Sequence, residues 1–323
     1  SLTVLSGGNN FPLGVSFYFD GVSGLMLTLV AGIGWVICRF SVRYLDGEPH
    51  RGRYFRWTAF TIGAVCLAVV AGNLALMLLA LLLTSVGLHQ LLVHYEDRET
   101  AHRAANIKFV LSRLGDLSLL AAIVLLYRDF GTLELSRLFA AMNAMDATAV
   151  AGSATLSAVG WLIVLCAVLK SAQFPFHSWL PETMEAPTPV SALMHAGIVN
   201  AGGYLLIRLA PIVSLVPAAL GAVAALGAFT AVIAALVMLS QTSVKRTLAW
   251  STIAQMGFMM LQCGLGAFSA AMLHIVAHSL YKAHTFLSSG SVMTERFATV
   301  TSAAIPRDRH GRFAAFASAA TIV

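Results

Sequence analysis

Long apolar stretches separated by short polar segments run through the whole sequence. A helix that crosses a bilayer needs about 20 apolar residues, and these stretches lack the two-residue alternation of a membrane β-strand. The pattern therefore predicts an all-α bundle of about ten membrane-spanning helices, with an amphipathic surface helix at 128–149. The predicted spans are 17–40, 56–71, 74–94, 106–127, 151–185 with an interruption, 186–208, 212–239, 247–265, 269–292 and a tenth that begins near 311.

Composition supports a membrane protein. The chain has 323 residues, of which 58% are hydrophobic and 11% charged, whereas soluble domains carry about 25% charged residues. Contact with membrane lipid explains this balance, and the net charge of +6 requires no nucleic acid. The sequence starts at Ser1 and stops within an apolar stretch. We expect one transmembrane domain over residues 1–323 that is incomplete at both ends.

Basic residues fall unevenly between the two predicted sides of the bundle. If residues 151–185 cross the membrane once, the richer side receives Arg39, Arg43, Arg51, Arg53, Arg56, Arg98, Arg103, Lys245, Arg246, Arg296, Arg307, Arg309 and Arg312. The other side receives Arg128, Arg137 and Arg208. Since Lys and Arg accumulate in cytoplasmic loops, the richer side is predicted to be cytoplasmic.

One lysine stands where an apolar stretch breaks. The sequence from 169 to 197 reads LKSAQFPFHSWLPETMEAPTPVSALMHAG, in which Lys170 is followed by Pro175 and Pro181. Proline removes a backbone donor and disfavours helix at the preceding residue, so we predict a broken helix around Lys170–Pro181. We expect Lys170 to meet the open carbonyls of the half-helix and to exchange protons, with a structural cap as the alternative.

A second group of polar residues occupies later helices. His274, His278 and Lys282 are spaced i, i+4, i+8 and therefore share one helical face, as expected of a hydrated proton path. His195 lies in the helix that follows the break, and taken alone it is better explained as a core histidine bonded to a carbonyl. Lys245 is as well explained by an ordinary loop charge as by a role in the path.

Other charged residues have local explanations. Arg113 and Asp116 lie one helical turn apart and are predicted to pair, whereas Lys108, near a helix start, is expected to extend to the membrane surface. Glu182 and Glu185 follow the break. His274 and His278 could also ligate a metal or haem. No further cluster of carboxylates or cysteines supports that alternative, so no cofactor is expected in this chain.

Three stretches together are similar to a known family. LKSAQFPFHSWLPETMEAPTPVSALMHAG, QTSVKRTLAWSTIAQMGFM and HSLYKAHTFLSSGSV resemble the antiporter-like membrane subunits of respiratory complex I and Mrp cation/proton antiporters. The resemblance implies inverted five-helix repeats, each with a broken helix. It also implies a mid-membrane proton path that includes Lys170, His195, His278 and Lys282, in a bacterial inner membrane.

One position departs from this family. Complex I subunits carry a glutamate that pairs with the lysine of the broken helix, and Thr84 stands at that position here. Thr84 cannot ionise, so the sequence leaves Lys170 without its expected carboxylate. We therefore expect coupling to arise from a partner subunit rather than from a Glu–Lys pair.

The sequence around these motifs is most similar to that of the membrane subunits of DAB inorganic-carbon accumulation complexes. This resemblance implies a cation-conducting subunit, without enzymatic activity of its own, that couples a proton or sodium gradient to CO2/bicarbonate accumulation. It also implies a cytoplasmic, carbonic-anhydrase-like partner subunit that holds zinc. The alternatives are a proton-pumping respiratory NADH:quinone oxidoreductase subunit, an Mrp-type antiporter subunit, and a purely structural membrane scaffold.

Overall fold

A computed structural model describes residues 2–4, 16–95, 98–146 and 152–304 of the protein. The chain divides into two units, Ser1–Leu287 and Ser288–Val323. The first unit contains every residue discussed below, and the second contributes the last part of one helix. The predicted tenth helix near residue 311 lies outside the described residues, and the single domain over residues 1–323 stays a prediction.

The fold is the predicted helix bundle, with one short antiparallel pair of strands at its beginning. Strands β1 (Leu2–Val4) and β2 (Phe17–Phe19) pair with Leu2 opposite Phe19. The longer helices that follow are α1 (Gly21–Tyr44), α2 (Arg51–Val70), α3 (Leu74–Leu92), α4 (Glu99–Phe130), α5 (Leu135–Asn143) and α6 (Ala154–Lys170). The later helices are α7 (Trp179–Glu182), α8 (Thr188–Ala196), α9 (Ala201–Arg208), α10 (Ala210–Val213), α11 (Pro217–Leu239), α12 (Val244–Gly264) and α13 (Phe268–Ala304).

Among the described residues, five helical segments are long and apolar enough to cross a membrane: α1, α3, α4, the α8–α9 run Thr188–Arg208, and α11. Helix α6 is apolar but shorter, because it ends at Lys170. Large apolar side chains, including Trp35 and Leu236, are exposed on the outer surface, as expected of helices surrounded by lipid. The predicted surface helix at 128–149 is shorter than expected, since α4 continues to Phe130 and α5 covers only Leu135–Asn143.

The interrupted segment crosses the bundle, as the distribution of basic residues predicts. At its start, Thr155 Oγ1 accepts a hydrogen bond from Arg128 at the end of α4, at 3.1 Å. At its far end, Glu185 forms an ion pair of 2.8 Å with Arg98, beside the start of α4. Because α4 is itself long enough to span, the segment from Thr155 to Glu185 connects opposite ends of the bundle.

Arg208 anchors the end of α9 to the start of α1. Its guanidinium lies 2.9 Å from an Asp20 carboxylate oxygen, and Tyr204 accepts a further hydrogen bond. Burial disfavours the ionised form of Asp20, but the Ser23 backbone N–H and Arg208 outweigh it and hold the pKa of Asp20 below its usual value. Arg208 is therefore a buried anchor, 4% exposed, at the same end of the bundle as the start of α1.

Candidate functional site

Lys170 meets a carboxylate from the neighbouring helix α4. Its ammonium donates to Asp116 Oδ1 at 2.6 Å, and both side chains are only 6% exposed. A buried charge in a membrane protein is stable only when paired or hydrated. The pair corrects two expectations: Lys170 does not bind the open carbonyls of its half-helix, and Thr84 does not leave it without a carboxylate.

Asp116 serves two cations. Arg113 lies one turn away on α4, as predicted from the sequence, with its Nη2 atom 2.9 Å from Asp116 Oδ2. These atoms are at ion-pair distance without the alignment of a hydrogen bond. One carboxylate therefore stands between two positive groups. The three side chains together carry a net positive charge when all are ionised.

Other side chains hold the backbone of the break, which leaves Lys170 free for Asp116. Gln173 Nε2 donates to the Ser171 carbonyl at 2.9 Å, and Ser171 Oγ donates to the Val199 carbonyl at 3.1 Å. The Phe174 N–H, just before Pro175, donates to Thr230 Oγ1 at 3.2 Å. These bonds replace the helical ladder that the proline interrupts.

Thr84 lies within reach of this region. It is buried on α3, and its hydroxyl donates to the Ala80 carbonyl of its own helix at 2.9 Å. Thr84 and Lys170 both line one small cavity of about 30 Å³. A carboxylate at position 84 would therefore enter the space that Lys170 already faces.

A second cluster joins α8, α12 and α13. His195 is fully buried, and its Nδ1 lies 3.0 Å from Thr252 Oγ1. The Thr252 hydroxyl already donates its one hydrogen to the Leu248 carbonyl, at 2.9 Å. It must therefore accept from His195, which places the ring proton on Nδ1. The opposite nitrogen, Nε2, is buried without a partner among the described residues and can accept a hydrogen bond.

His278 bridges the neighbouring helices through both ring nitrogens. Nε2 lies 3.1 Å from the His195 carbonyl and must donate to it, while Nδ1 lies 2.7 Å from the Gln255 amide. The amide can accept from Nδ1 when His278 is charged, or turn over and donate to it when His278 is neutral. Gln255 can thus accommodate both protonation states. With both nitrogens engaged, His278 has none free for a metal or haem.

Lys282 completes the second cluster. It is fully buried one turn beyond His278, donates to the Leu248 carbonyl at 3.3 Å and contacts the Ser251 hydroxyl. None of these neighbours carries a negative charge. Lys282 is therefore solvated by neutral oxygens, whereas Lys170 has a carboxylate.

Asn200 lies between the two clusters. Its side-chain amide donates to Ser279 Oγ of α13 at 3.0 Å and to the Ala196 carbonyl at 3.0 Å. The preceding residue, Val199, accepts the hydrogen bond from Ser171 at the break. Hydrogen bonds thus connect Ser171, next to Lys170, to Val199, and connect the adjacent Asn200 to Ser279, next to His278.

The remaining predicted residues lie outside these contacts. Lys245 is half-buried in the first turn of α12, and Glu182 and Glu185 are exposed. His274 stacks on His278 at a centroid distance of 5.9 Å, so it extends that cluster along α13. Among the described residues, no group of three or more His, Cys, Asp or Glu side chains could hold a metal ion.

The sequence analysis missed four residues of the clusters: Asn200, Ser251, Thr252 and Gln255. Three of them fall in the stretch WSTIAQ, where polar residues recur one helical turn apart within an apolar helix. That spacing could have indicated a polar face toward Lys282. Asn200 carries no comparable local signal.

Comparison with known proteins agrees with these features. Residues 71–306 match the family described as NADH:quinone oxidoreductase/Mrp antiporter, TM, and residues 5–55 match the N-terminal region of complex I chain 5. The chain is 49% identical over 280 residues to the "Probable inorganic carbon transporter subunit DabB2" of Halothiobacillus neapolitanus, covering 87% of this chain and 50% of that protein. It is 37% identical to NADH-quinone oxidoreductase subunit L of Mycobacterium tuberculosis, covering 85% and 43%.

A solved structure shares the fold. The Mrp complex from Dietzia sp. DQ12-45-1b superposes with a TM-score of 0.80 at 31% identity, covering 87% of this chain and 31% of the matched chain. The present chain thus spans about half the length of the curated relatives that it matches. The chain belongs to the NADH:quinone oxidoreductase/Mrp antiporter family of membrane subunits.

Proposed function

We propose that this chain is the cation-conducting, energy-coupling subunit of a membrane complex that accumulates inorganic carbon. The observation that carries the conducting role is the Arg113–Asp116–Lys170 triad at the helix break, in which the Asp116–Lys170 pair is buried. A polar connection through Asn200 to the cluster of His195, His278 and Lys282 supports it. A purely structural scaffold would not require buried lysines at these positions, because apolar residues would pack there without the free-energy cost of burying a charge.

The triad suggests how a proton moves. While Asp116 contacts Lys170, the ammonium form is favoured. When the carboxylate moves to Arg113, Lys170 loses its counter-charge and releases its proton to water or toward the second cluster. At a separation of about 4 Å and an effective dielectric of about 20, such a contact is worth about 4 kcal/mol, which suffices to change the protonation of a lysine.

The carbon-related role rests on the relative from Halothiobacillus neapolitanus. We propose that a cation gradient, of protons or sodium, drives CO2 conversion to bicarbonate in a carbonic-anhydrase-like subunit that holds zinc. In this proposal the triad conducts protons rather than sodium, because Lys170 can bind and release a proton. In this scheme the present chain conducts and transmits, and the partner performs the chemistry.

The partner is proposed to bind the end of the bundle that is rich in arginine. Exposed arginines at this end are Arg39, Arg43, Arg56, Arg98 and Arg103. The ends of α1 and α8 meet there through Tyr44 and Thr188, whose hydroxyls are 3.2 Å apart. A concentration of positive charge favours this end as the cytoplasmic one. Cross-links from the partner to Arg137 and its neighbours, at the opposite end, would contradict this assignment.

The proposal is tested by purifying the chain from its native membrane in mild detergent and identifying its partners by mass spectrometry. A stoichiometric zinc protein related to carbonic anhydrases, together with loss of inorganic-carbon uptake when this chain is deleted, is the expected result. Co-purification with a set of respiratory subunits and normal carbon uptake would contradict the carbon-related role.

A respiratory or Mrp-type complex is the second candidate. The similarity to subunit L and to the Mrp complex favours it, and the proton-transfer site serves both functions equally. NADH-dependent proton pumping that is lost with this chain would assign the respiratory role.

A further inference from the structure

A small polar cavity separates Lys170 from a second buried lysine. The cavity has a volume of about 30 Å³ and lies between α3, α4, α6, α7 and residues 198–201. A cavity holds a water molecule when it offers at least about 10–15 Å³ and two or more polar partners. This one has room for about two waters, and its polar lining comprises Thr84, Ser85, Lys108, Ser112, Lys170 and Trp179.

Lys108 does not reach the membrane surface, contrary to the expectation from its position near a helix start. It is 5% exposed, and its ammonium donates to Ser85 Oγ at 3.1 Å. An ammonium has three N–H donors, and the described contacts engage one of them. The Trp179 indole N–H, also on the cavity wall, is buried without a partner among the described residues. Water in this cavity would accept hydrogen bonds from the Lys108 ammonium and the Trp179 indole.

The polar groups continue on the far side of Lys108. His89 lies one turn beyond Ser85 on α3, and its ring packs on Phe109, at a centroid distance of 5.2 Å. Its Nδ1 is buried without a partner among the described residues. His89 lies within electrostatic range of both Lys108 and His102. His102, half-buried in the first turns of α4, brings this series to the arginine-rich end of the bundle.

We propose that Lys108 is a proton-relaying residue, which connects Lys170 through cavity water on one side to His89 on the other. This inference rests on the proposed proton-conducting function. In each transfer, the Lys170 ammonium gives one proton to a cavity water, and that water gives one proton to the neutral Lys108 amine. Lys170 is left neutral and Lys108 charged, and Lys108 then passes one proton to His89. The charge and number of protons are conserved at each step.

A structural explanation of Lys108 is weaker. A lysine buried in a membrane protein usually pairs with a carboxylate or faces water, and the described contacts give Lys108 a serine hydroxyl alone. Methionine would fill a similar volume without the cost of burying a charge. Lys108 also lines the same cavity as Lys170, so a relay explains both its burial and its position.

The test measures proton flux into inverted membrane vesicles that contain the native complex, driven by an imposed gradient. Lys108→Met should lower the flux by more than about tenfold, equivalent to over 1.4 kcal/mol in barrier height. Lys108→His should restore part of the flux with a pH profile displaced toward about 6.5, the ordinary range of histidine. The charged groups near position 108 are His89, Arg113, Asp116 and Lys170, and they are unchanged in both variants. Asn106→Ala, an exposed change on the same helix, is the matched control and should leave the flux unaltered.

Lys170→Met separates failure of this inference from failure of the proposed function. If Lys170→Met stops the flux while Lys108→Met and wild type conduct equally, the relay is wrong and the conducting function stands. If Lys170→Met also conducts normally, the proposed function itself is wrong. Partial flux in Lys108→His with an unchanged pH profile would assign Lys108 a structural role and overturn the relay.

Discussion

Asp116 provides the negative charge that position 84 lacks. Complex I subunits of this family carry the partner glutamate on the helix that corresponds to α3, so Thr84 at that position predicted an unpaired Lys170. The partner instead comes from α4, 54 residues before Lys170 in the chain. SRLGD correctly indicated the contact between Arg113 and Asp116, which are neighbours on one helix. Nothing local indicates that the same carboxylate reaches a lysine on another helix.

Replacing Asp116 by Asn should abolish gradient-dependent transport. The change leaves Lys170 buried without a counter-charge, and breaking a buried pair costs about 3–5 kcal/mol. Asp116→Glu should retain part of the activity, because it keeps the charge. Transport and expression are measured together, with Asp129→Asn at the exposed end of α4 as the control. Unaltered transport in Asp116→Asn would remove the triad from the mechanism.

Thr84→Glu should slow transport or displace it to higher external pH. The new carboxylate would enter the cavity shared by Thr84 and Lys170 and stabilise the charged lysine. Its contact would add up to about 4 kcal/mol at about 4 Å, before the cost of burying it is subtracted. Carbon uptake measured against pH tests this, with Thr84→Gln as the uncharged control. An identical pH profile at normal expression would show that the charge of Lys170 does not limit transport.

Gln255→Leu should impair proton transfer through His278. The amide is the only described side-chain partner of Nδ1, and leucine can neither donate to the neutral ring nor accept from the charged one. Gln255→Glu should stabilise only the charged ring and therefore slow proton release, most strongly at low pH. Proton flux against pH is compared with that of Gln241→Leu, at the end of α11. Equal flux in all variants would exclude the amide from the path.

At the scale of elements, the apolar pattern predicted most helices and the break at Lys170. The crossing of the interrupted segment followed from counting basic residues. The sequence did not reveal how the break is stabilised, since Gln173, Ser171 and Thr230 act through contacts with their own turn or with distant helices. Nor did it reveal that Lys108 is buried, because a lysine near the start of a helix has the same sequence pattern whether its side chain extends to the membrane surface or packs inside the bundle.

Glycines set the close packing of α11 on α12. A Cβ atom at Gly257 would collide with the backbone of Ala231 and Gly227, as is common where membrane helices approach closely. Gly257→Leu should destabilise the protein by at least about 1–3 kcal/mol, and it should displace Thr252 and Gln255 on the same helix. Thermal unfolding in detergent measures the effect. Gly63→Leu, whose Cβ would meet no atom within 4 Å, should be tolerated, and equal stability of the two would contradict this packing.

At the scale of the whole molecule, two clusters of ionisable side chains lie within one continuous polar region. The first contains a carboxylate between two cations, and the second consists of histidines and a lysine solvated by neutral groups. In the proposed mechanism this asymmetry gives proton transfer a direction, because movement of Asp116 would control the charge of Lys170 while the second cluster would accept and pass protons. The arginine-rich end is where a partner could influence α4 and hence Asp116.

The central claim is that Lys170 conducts by releasing its proton, and Lys170→Arg tests it most directly. Arginine keeps the positive charge and the contact with Asp116 but does not deprotonate in proteins. The variant complex should therefore assemble at normal levels and give no gradient-driven proton flux in membrane vesicles, whereas Arg137→Gln, exposed at the end opposite the proposed partner, should conduct like wild type. Flux at the wild-type level in Lys170→Arg would contradict the account, because a fixed positive charge would then suffice.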